Sequence, residues 1–227
     1  MSASLKLVVF DVDGTLVDSQ NDIMQAMQTA FAAVGAPMPS RAVILGGVGL
    51  SLDVIFSRIA PALSLSEHEQ MQAAYRACYA DLRARAAVDR SSPLYPGAAD
   101  ALMHLRAMPE VLLGLATGKS RRGLDRLIHA HGLEGVFVTQ QVADFHPSKP
   151  HPSMLLSAMA EAGVAPKDTV MIGDTSFDME MATAADVLGI GVSWGYHTAA
   201  QLAQATEVLD AFDHLPAALE RIWSSQA

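Results

Sequence analysis

Apolar positions keep one rhythm at the start and in the second half of the chain, and another between them. Residues 5–11 (LKLVVFD) are a short apolar run, rich in β-branched side chains and closed by an acid. That pattern predicts a strand covered on both faces, as in a parallel sheet. Residues 111–117 (VLLGLAT), 136–142 (VFVTQQV), 169–174 (TVMIGD) and 187–194 (VLGIGVSW) repeat it, and a weaker strand is predicted near 207–209. Helical spacing fills the intervals. Ser120 is expected to cap a helix carrying Leu124, Leu127 and Ile128 that stops at Gly132. Ser153 is expected to cap one carrying Leu155, Leu156 and Met159 that stops at Gly163. Strand and helix alternate from Tyr95 onward, so the predicted fold class is α/β, a doubly wound, Rossmann-like parallel sheet.

Residues 16–93 break the alternation. Ile23, Met24, Met27, Phe31 and Val34 share one helical face, closed by Gly35 and Pro37. Ser51 opens a second helix holding Val54, Ile55 and Ile59, closed by Pro61. Ser66 with Glu69 predicts a capping box for a third, with Met71, Ala74, Tyr75, Cys78 and Leu82 in register. An all-helical segment inserted after the first strand is expected to fold as a small separate domain. The division is 1–15 plus 94–227 for the sheet domain and 16–93 for the helical one, with linker composition at 91–97 (SSPLYPG).

The net charge of −9 and the absence of any basic stripe argue against a nucleic acid or an anionic membrane as partner. No apolar run approaches the length of a membrane span or a signal peptide. A single cysteine, Cys78, permits no internal disulfide and suits a reducing compartment, so a cytoplasmic location is expected.

The strand ends carry the candidate chemistry. In FDVDGTLVD (residues 10–18), Asp11 and Asp13 leave the first strand two residues apart, on one side if strand geometry persists. Two such carboxylates repel one another unless a cation lies between them, and oxygen ligands where phosphate can also bind favour Mg²⁺. Gly14 permits a sharp turn with exposed N–H groups, and Thr15 adds a hydroxyl. The second strand ends in Thr117-Gly118 at a helix start, a ready anion site. Lys149 follows the third, and Asp174, with Asp178 a turn later, follows the fourth. In a doubly wound sheet these ends converge on one crevice. There the four acids would face a single lysine, so that binding a phosphate ester needs a divalent cation.

On the blocks FDVDGTLVD, LATGKS, SKPHP and GDTSFDM, spread over nearly the whole chain, the sequence resembles the haloacid dehalogenase-like hydrolases, in particular their phosphoglycolate phosphatase-like branch. The resemblance implies a Mg²⁺-dependent phosphatase of small phosphorylated metabolites. Asp11 would be the nucleophile that forms an aspartyl phosphate, and Asp13 the general acid and base. Asp11, the backbone carbonyl of Asp13 and Asp174 would hold Mg²⁺, with Asp178 supporting Lys149 or a metal-bound water. Thr117 and Lys149 would bind the phosphoryl oxygens, helped by Gly14, Thr15 and Gly118, and the helical domain would close as a cap. Substrate choice would fall to the loop 46–50 around Gly47, with Arg41 as a candidate for a substrate carboxylate.

Asp13 argues against dehalogenase chemistry, and the lack of lysine between Thr15 and Tyr95 against a Schiff-base phosphonatase. A sugar phosphomutase shares all four blocks, and a catalytically silent binding protein could keep the fold. A receiver domain would be about half as long. A sugar phosphate, a nucleotide or pyrophosphate fits the motifs almost as well as phosphoglycolate, and oligomeric state is open. His146 and His151 flank Lys149 and are expected to serve loop packing rather than zinc. His129 and His131 are expected to favour a helix C-terminus, and His197 to lie at the periphery of the site. Asp186 stands where such proteins often have glycine.

Overall fold

The computed structural model describes residues 4–85 and 92–225. Its described residues hold six parallel strands in one sheet: β1 (Lys6–Phe10), β2 (Val111–Thr117), β3 (Thr139–Val142), β4 (Thr169–Gly173), β5 (Leu188–Val192) and β6 (Glu207–Leu209). They lie in the order β3-β2-β1-β4-β5-β6. β1 is central, and period-two alternation divides its buried side chains between two cores. Val8 and Phe10 pack with α5 (Ala98–Arg106), α6 (Arg121–Ala130) and α9 (Leu215–Ser225); Leu7 and Val9 pack with α7 (Ser153–Ala162) and α8 (Ser176–Ala184). Because helices cover both faces, the strand reads as an unbroken apolar run.

Between β1 and α5 lie α1 (Gln20–Ala33), α2 (Arg41–Leu45), α3 (Leu52–Ile59) and α4 (Leu65–Arg85). They have an apolar cluster of their own, including Ile23, Met27, Phe31, Ile55, Phe56 and Met71, which Phe177 of α8 joins. Two connectors tie this insert to the sheet, and they run side by side. Asp18 N donates to Pro93 O at 2.9 Å, Tyr95 N donates to Leu16 O at 2.9 Å, and Val17 pairs with Leu94. Met1–Ala3, part of the stretch read as lacking a signal peptide, and Ser91 of the second connector lie outside the described residues. Among the described residues no helix is long and apolar enough to cross a membrane.

Several local expectations differ. Residues 136–138 precede β3 instead of belonging to it, because pairing with β2 begins only at Gly114–Thr139. The capping box at α4 is made by Ser64 and Glu67: the carboxylate accepts from Ser64 N at 2.7 Å, two residues before the Ser66–Glu69 pair. Ser153 is the first residue of α7 rather than its cap, and its hydroxyl meets His146. The five-residue α2, capped by Ser40, had no apolar period long enough to announce it.

Asp186 follows α8 at φ 56°, in the left-handed region, and is exposed. A non-glycine residue there costs about 1–2 kcal/mol, less for Asp, and glycine's extra unfolded-state freedom offsets part of any relief. Asp186→Gly should therefore stabilise the protein by up to about 1 kcal/mol in urea unfolding. A loss of stability would mean that the carboxylate does something beyond occupying the turn.

Candidate active site

β1 and β4 are neighbours, so their C-terminal ends bring Asp11 and Asp174 together at the point where strand order reverses. Asp11 follows Phe10 directly and its N–H still donates to Ile172 O of β4 at 2.9 Å. The next residues turn sharply. Gly14 has φ 87°, and a Cβ there would lie 2.2 Å from Asp174 Oδ2. Gly195, on the other side, would make an equally close contact with the Cβ of Asp174. Two glycines thus leave room for one buried carboxylate, which accepts from Thr15 Oγ1 at 2.9 Å and Tyr196 N at 2.8 Å.

Lys149 is brought in by the loop between β3 and α7. Its fully buried ammonium lies 2.8 Å from Asp11 Oδ1 and 2.6 Å from Asp178 Oδ1. The other oxygen of Asp178 accepts from Thr175 N and Thr175 Oγ1, closing a capping box at the start of α8. Asp178 is therefore fixed from both sides, beside Lys149.

Asp11, Asp174 and Asp178 are all buried, with carboxylate oxygens within 4.8 Å of one another. Burial pushes the Asp11 carboxyl up to about 7; Lys149 works against this, while Asp178 and Asp13 add to it. Asp174 is raised well above the usual carboxylate range by burial and then by Asp11 and Asp178. Burial would push Lys149 down, but Asp11 and Asp178 outweigh it and hold the ammonium above the ordinary lysine value. Among the described residues neither oxygen of Asp11 receives a well-aligned hydrogen bond. A close set of buried carboxylates with spare lone pairs suits a hard divalent cation, with Asp11 and Asp174 the residues free to ligate it.

Asp13 departs from the cluster. Its carboxylate lies 2.7 Å from Lys119 Nζ and accepts from the hydroxyl of Ser19. Ser19 sits at the N-cap of α1 but makes no side-chain cap bond, because its hydroxyl points to Asp13. Tyr196 Oη lies 3.2 Å from the same hydroxyl. The expectation of a single lysine facing the four acids is thus corrected: Lys119 is a second, buried one, turned inward from the loop between β2 and α6 and 2.9 Å from Tyr79 Oη. It stood in view within LATGKS, but spacing alone could not orient it; Ser19 gave no signal at all.

Thr117 ends β2, buried, and accepts from Lys119 N at 3.2 Å. A Cβ on Gly118 would lie 2.8 Å from Gly49 O, so the loop 46–50 of the insert rests directly on this turn. Ser51 N also donates to Ser148 Oγ, next to Lys149, at 2.9 Å. Gly47 lies against Ile55, whereas its neighbours Val48, Gly49 and Leu50 line a cavity of about 320 Å³ that opens beside Asp13. Arg41 is exposed, donates to Gln20 and does not line the cavity.

The histidines singled out in the sequence have partners. His146 meets Ser153 Oγ and Gln141 Oε1, each at 2.8 Å, and its imidazole is pushed down by burial. His129 lies in the last turn of α6, as expected, and also faces Glu134; His131 is the C-cap residue of that helix and faces Ser92 O of the connector. His197 does more than sit at the periphery. Its Nδ1 accepts from Ser176 N at 3.0 Å and its Nε2 faces Gly46 O at 3.2 Å, which joins the start of α8 to the insert loop.

Comparisons with known proteins bear on the whole of this arrangement. Residues 8–192 match the haloacid dehalogenase-like hydrolase family. The chain is 37% identical over 213 residues to a Dickeya dadantii protein named "Probable phosphatase IndB", covering 92% of this chain and 91% of that one. It is 32% identical over 201 residues to a phosphoglycolate phosphatase of Pseudomonas syringae pv. tomato, covering 88% of this chain and 73% of the relative. A haloacid dehalogenase-like hydrolase structure from Streptococcus pneumoniae superposes with a TM-score of 0.80 at 25% identity, covering 94% of this chain and 98% of that one. A β-phosphoglucomutase from Clostridium difficile, at TM-score 0.82 and 20% identity over 97% of this chain and 98% of its own, shares the fold.

Between the ordinary carboxyl value of 3.8 and about 7, folded Asp11 binds a proton that the unfolded chain has released. Stability of the metal-free protein therefore falls as pH rises through that window. A divalent cation removes the repulsion that the proton had relieved. The rise in Tm on adding Mg²⁺ should be several degrees larger near pH 8 than near pH 5, and Asp11→Asn should reduce the difference. Equal Mg²⁺ shifts at both pH values would rule out this cluster as the cation site.

Proposed function

The chain belongs to the haloacid dehalogenase-like hydrolases and is a phosphatase, and from that premise we propose that it cleaves small phosphate monoesters, with Mg²⁺, through an aspartyl phosphate on Asp11. The observation that carries this reading is the buried Asp11 carboxylate, free of well-aligned hydrogen bonds, beside Lys149 and Asp174. An oxygen of Asp11 attacks phosphorus as the bond to the leaving oxygen breaks, and Asp13 gives that oxygen a proton. Asp13 then takes a proton from a water that attacks phosphorus, releasing inorganic phosphate and restoring Asp11. The Lys149 ammonium, the Thr117 hydroxyl and the turn at Gly118 and at Gly14-Thr15 bind the phosphoryl oxygens. Mg²⁺, held by Asp11, Asp174 and the carbonyl of Asp13, would supply the positive charge that lets a phosphate approach three buried acids.

In this reading residues 1–15 and 94–227 form the catalytic core, and 16–93 form a cap over the leaving group. Support comes from the contact of the loop 46–50 with Gly118 and Ser148, which lets the insert exclude water from the phosphoryl site. The substrate class is a small phosphorylated metabolite.

Asp11→Asn should abolish phosphate release with little change of fold, and Asp13→Asn should lower kcat by roughly 10²–10⁴. Release across a panel of phosphorylated metabolites should require Mg²⁺ and stop with EDTA. Undiminished turnover by Asp11→Asn would remove the nucleophile assignment, and transfer to a second hydroxyl without phosphate release would make the protein a mutase.

A further inference from the structure

The cavity of about 320 Å³ adjoins the general acid and meets the phosphoryl pocket only at Gly118. Asp13 and Lys119 line it, whereas Asp11, Thr117, Lys149 and Asp174 do not. If the phosphatase reading holds, the alcohol that leaves with Asp13's proton occupies this space. Its volume reaches the range of roughly 300–1,000 Å³ that accommodates drug-sized ligands, several times the need of a two-carbon hydroxy acid.

The walls differ in chemistry. Ile23 and Met27 of α1, Leu52 and Ile55 of α3, and Tyr75 of α4 present one apolar side, with Tyr75 stacked on Tyr79 at 5.7 Å and 13°. A polyol laid on this side would lose water from its hydroxyls with few partners in return, whereas a ring would bury its faces. Another part of the lining comes from α6, where Arg122 and Arg126 stand one turn apart. Neither makes an ion pair or hydrogen bond among the described residues, although Arg122 lies in the first turn of the helix, where cations are disfavoured. Arg76 faces the same space from α4. Of the acids there, Asp144 accepts from Arg121 N at 2.6 Å and Asp53 is exposed.

We infer that the substrate is the phosphate ester of a ring-bearing alcohol, larger than glycolate, with a second anionic group at the end remote from the phosphate. The ring lies against the α1–α3 wall and the anion between Arg122 and Arg126.

The test compares kcat/KM, with Mg²⁺, for four esters: phosphoglycolate, a hexose 6-phosphate, benzyl phosphate and 4-carboxybenzyl phosphate. The carboxybenzyl ester should lead and benzyl phosphate should exceed the first two. Replacing both arginines (Arg122→Gln with Arg126→Gln), on the helix surface, should cost the carboxybenzyl ester about tenfold through KM and leave benzyl phosphate within about twofold. Faster use of phosphoglycolate or the hexose phosphate would overturn the inference while leaving the phosphatase intact. Equal losses for both benzyl esters would overturn the anion site. Phosphate release from none of the four would remove the phosphatase reading and this inference with it.

Discussion

One buried ammonium organises the active-site end of the sheet. Lys149 is sealed from water between Asp11 and Asp178, and each of the three comes from a different crossover of the fold. Removing such charges from solvent costs several kcal/mol each, a cost met only when every partner is in place. The end of β1, the loop before α7 and the start of α8 therefore take up their positions together. Asp178 adds a second constraint, because the oxygen not facing Lys149 caps α8, so the helix cannot shift without disturbing the lysine. One positive charge remains too little for three acids, and Asp11 and Asp174 are raised first by burial and then by their neighbouring acids.

Close packing does as much as charge to shape the site. Gly14 and Gly195 hold the Asp174 carboxylate between them at distances no Cβ would permit, and Gly173 lies similarly close to Asp178. Gly118 allows the insert loop to rest on the end of β2. Main chain without side chains thus closes around the buried carboxylates at the sheet's end. The cavity beyond Asp13 is lined by side chains of the insert and of α6, which suits a part that differs among substrates. Lys119 stands at the boundary, touching Asp13 on one side and Tyr79 of the insert on the other.

The sheet and the acids were legible in the sequence because each depended on a local pattern. An apolar run, an acid at its end and a following helix signal are contiguous in the chain, and parallel topology then brings the ends together. Asp11, Asp174, Asp178 and Lys149 followed from that alone. Lys119, Ser19 and His197 did not. Their roles depend on side-chain direction and on which loop of the insert meets which loop of the sheet, and no period records that. The Ser66–Glu69 pair shows the same limit on a smaller scale: two overlapping boxes share the pattern, and only the position of the helix start chooses Ser64 with Glu67.

The paired connectors have a consequence for how such a molecule can change over time. Because Val17 and Leu94 are neighbours, everything between them leaves and re-enters the sheet at a single point. The entropy of closing a loop grows only slowly with its length, so the sheet is nearly indifferent to the size of what hangs there. The sheet end and the helical insert can then follow separate histories. A lineage could exchange or remodel the helices, and acquire a new substrate, without altering one residue of the lysine-centred cluster.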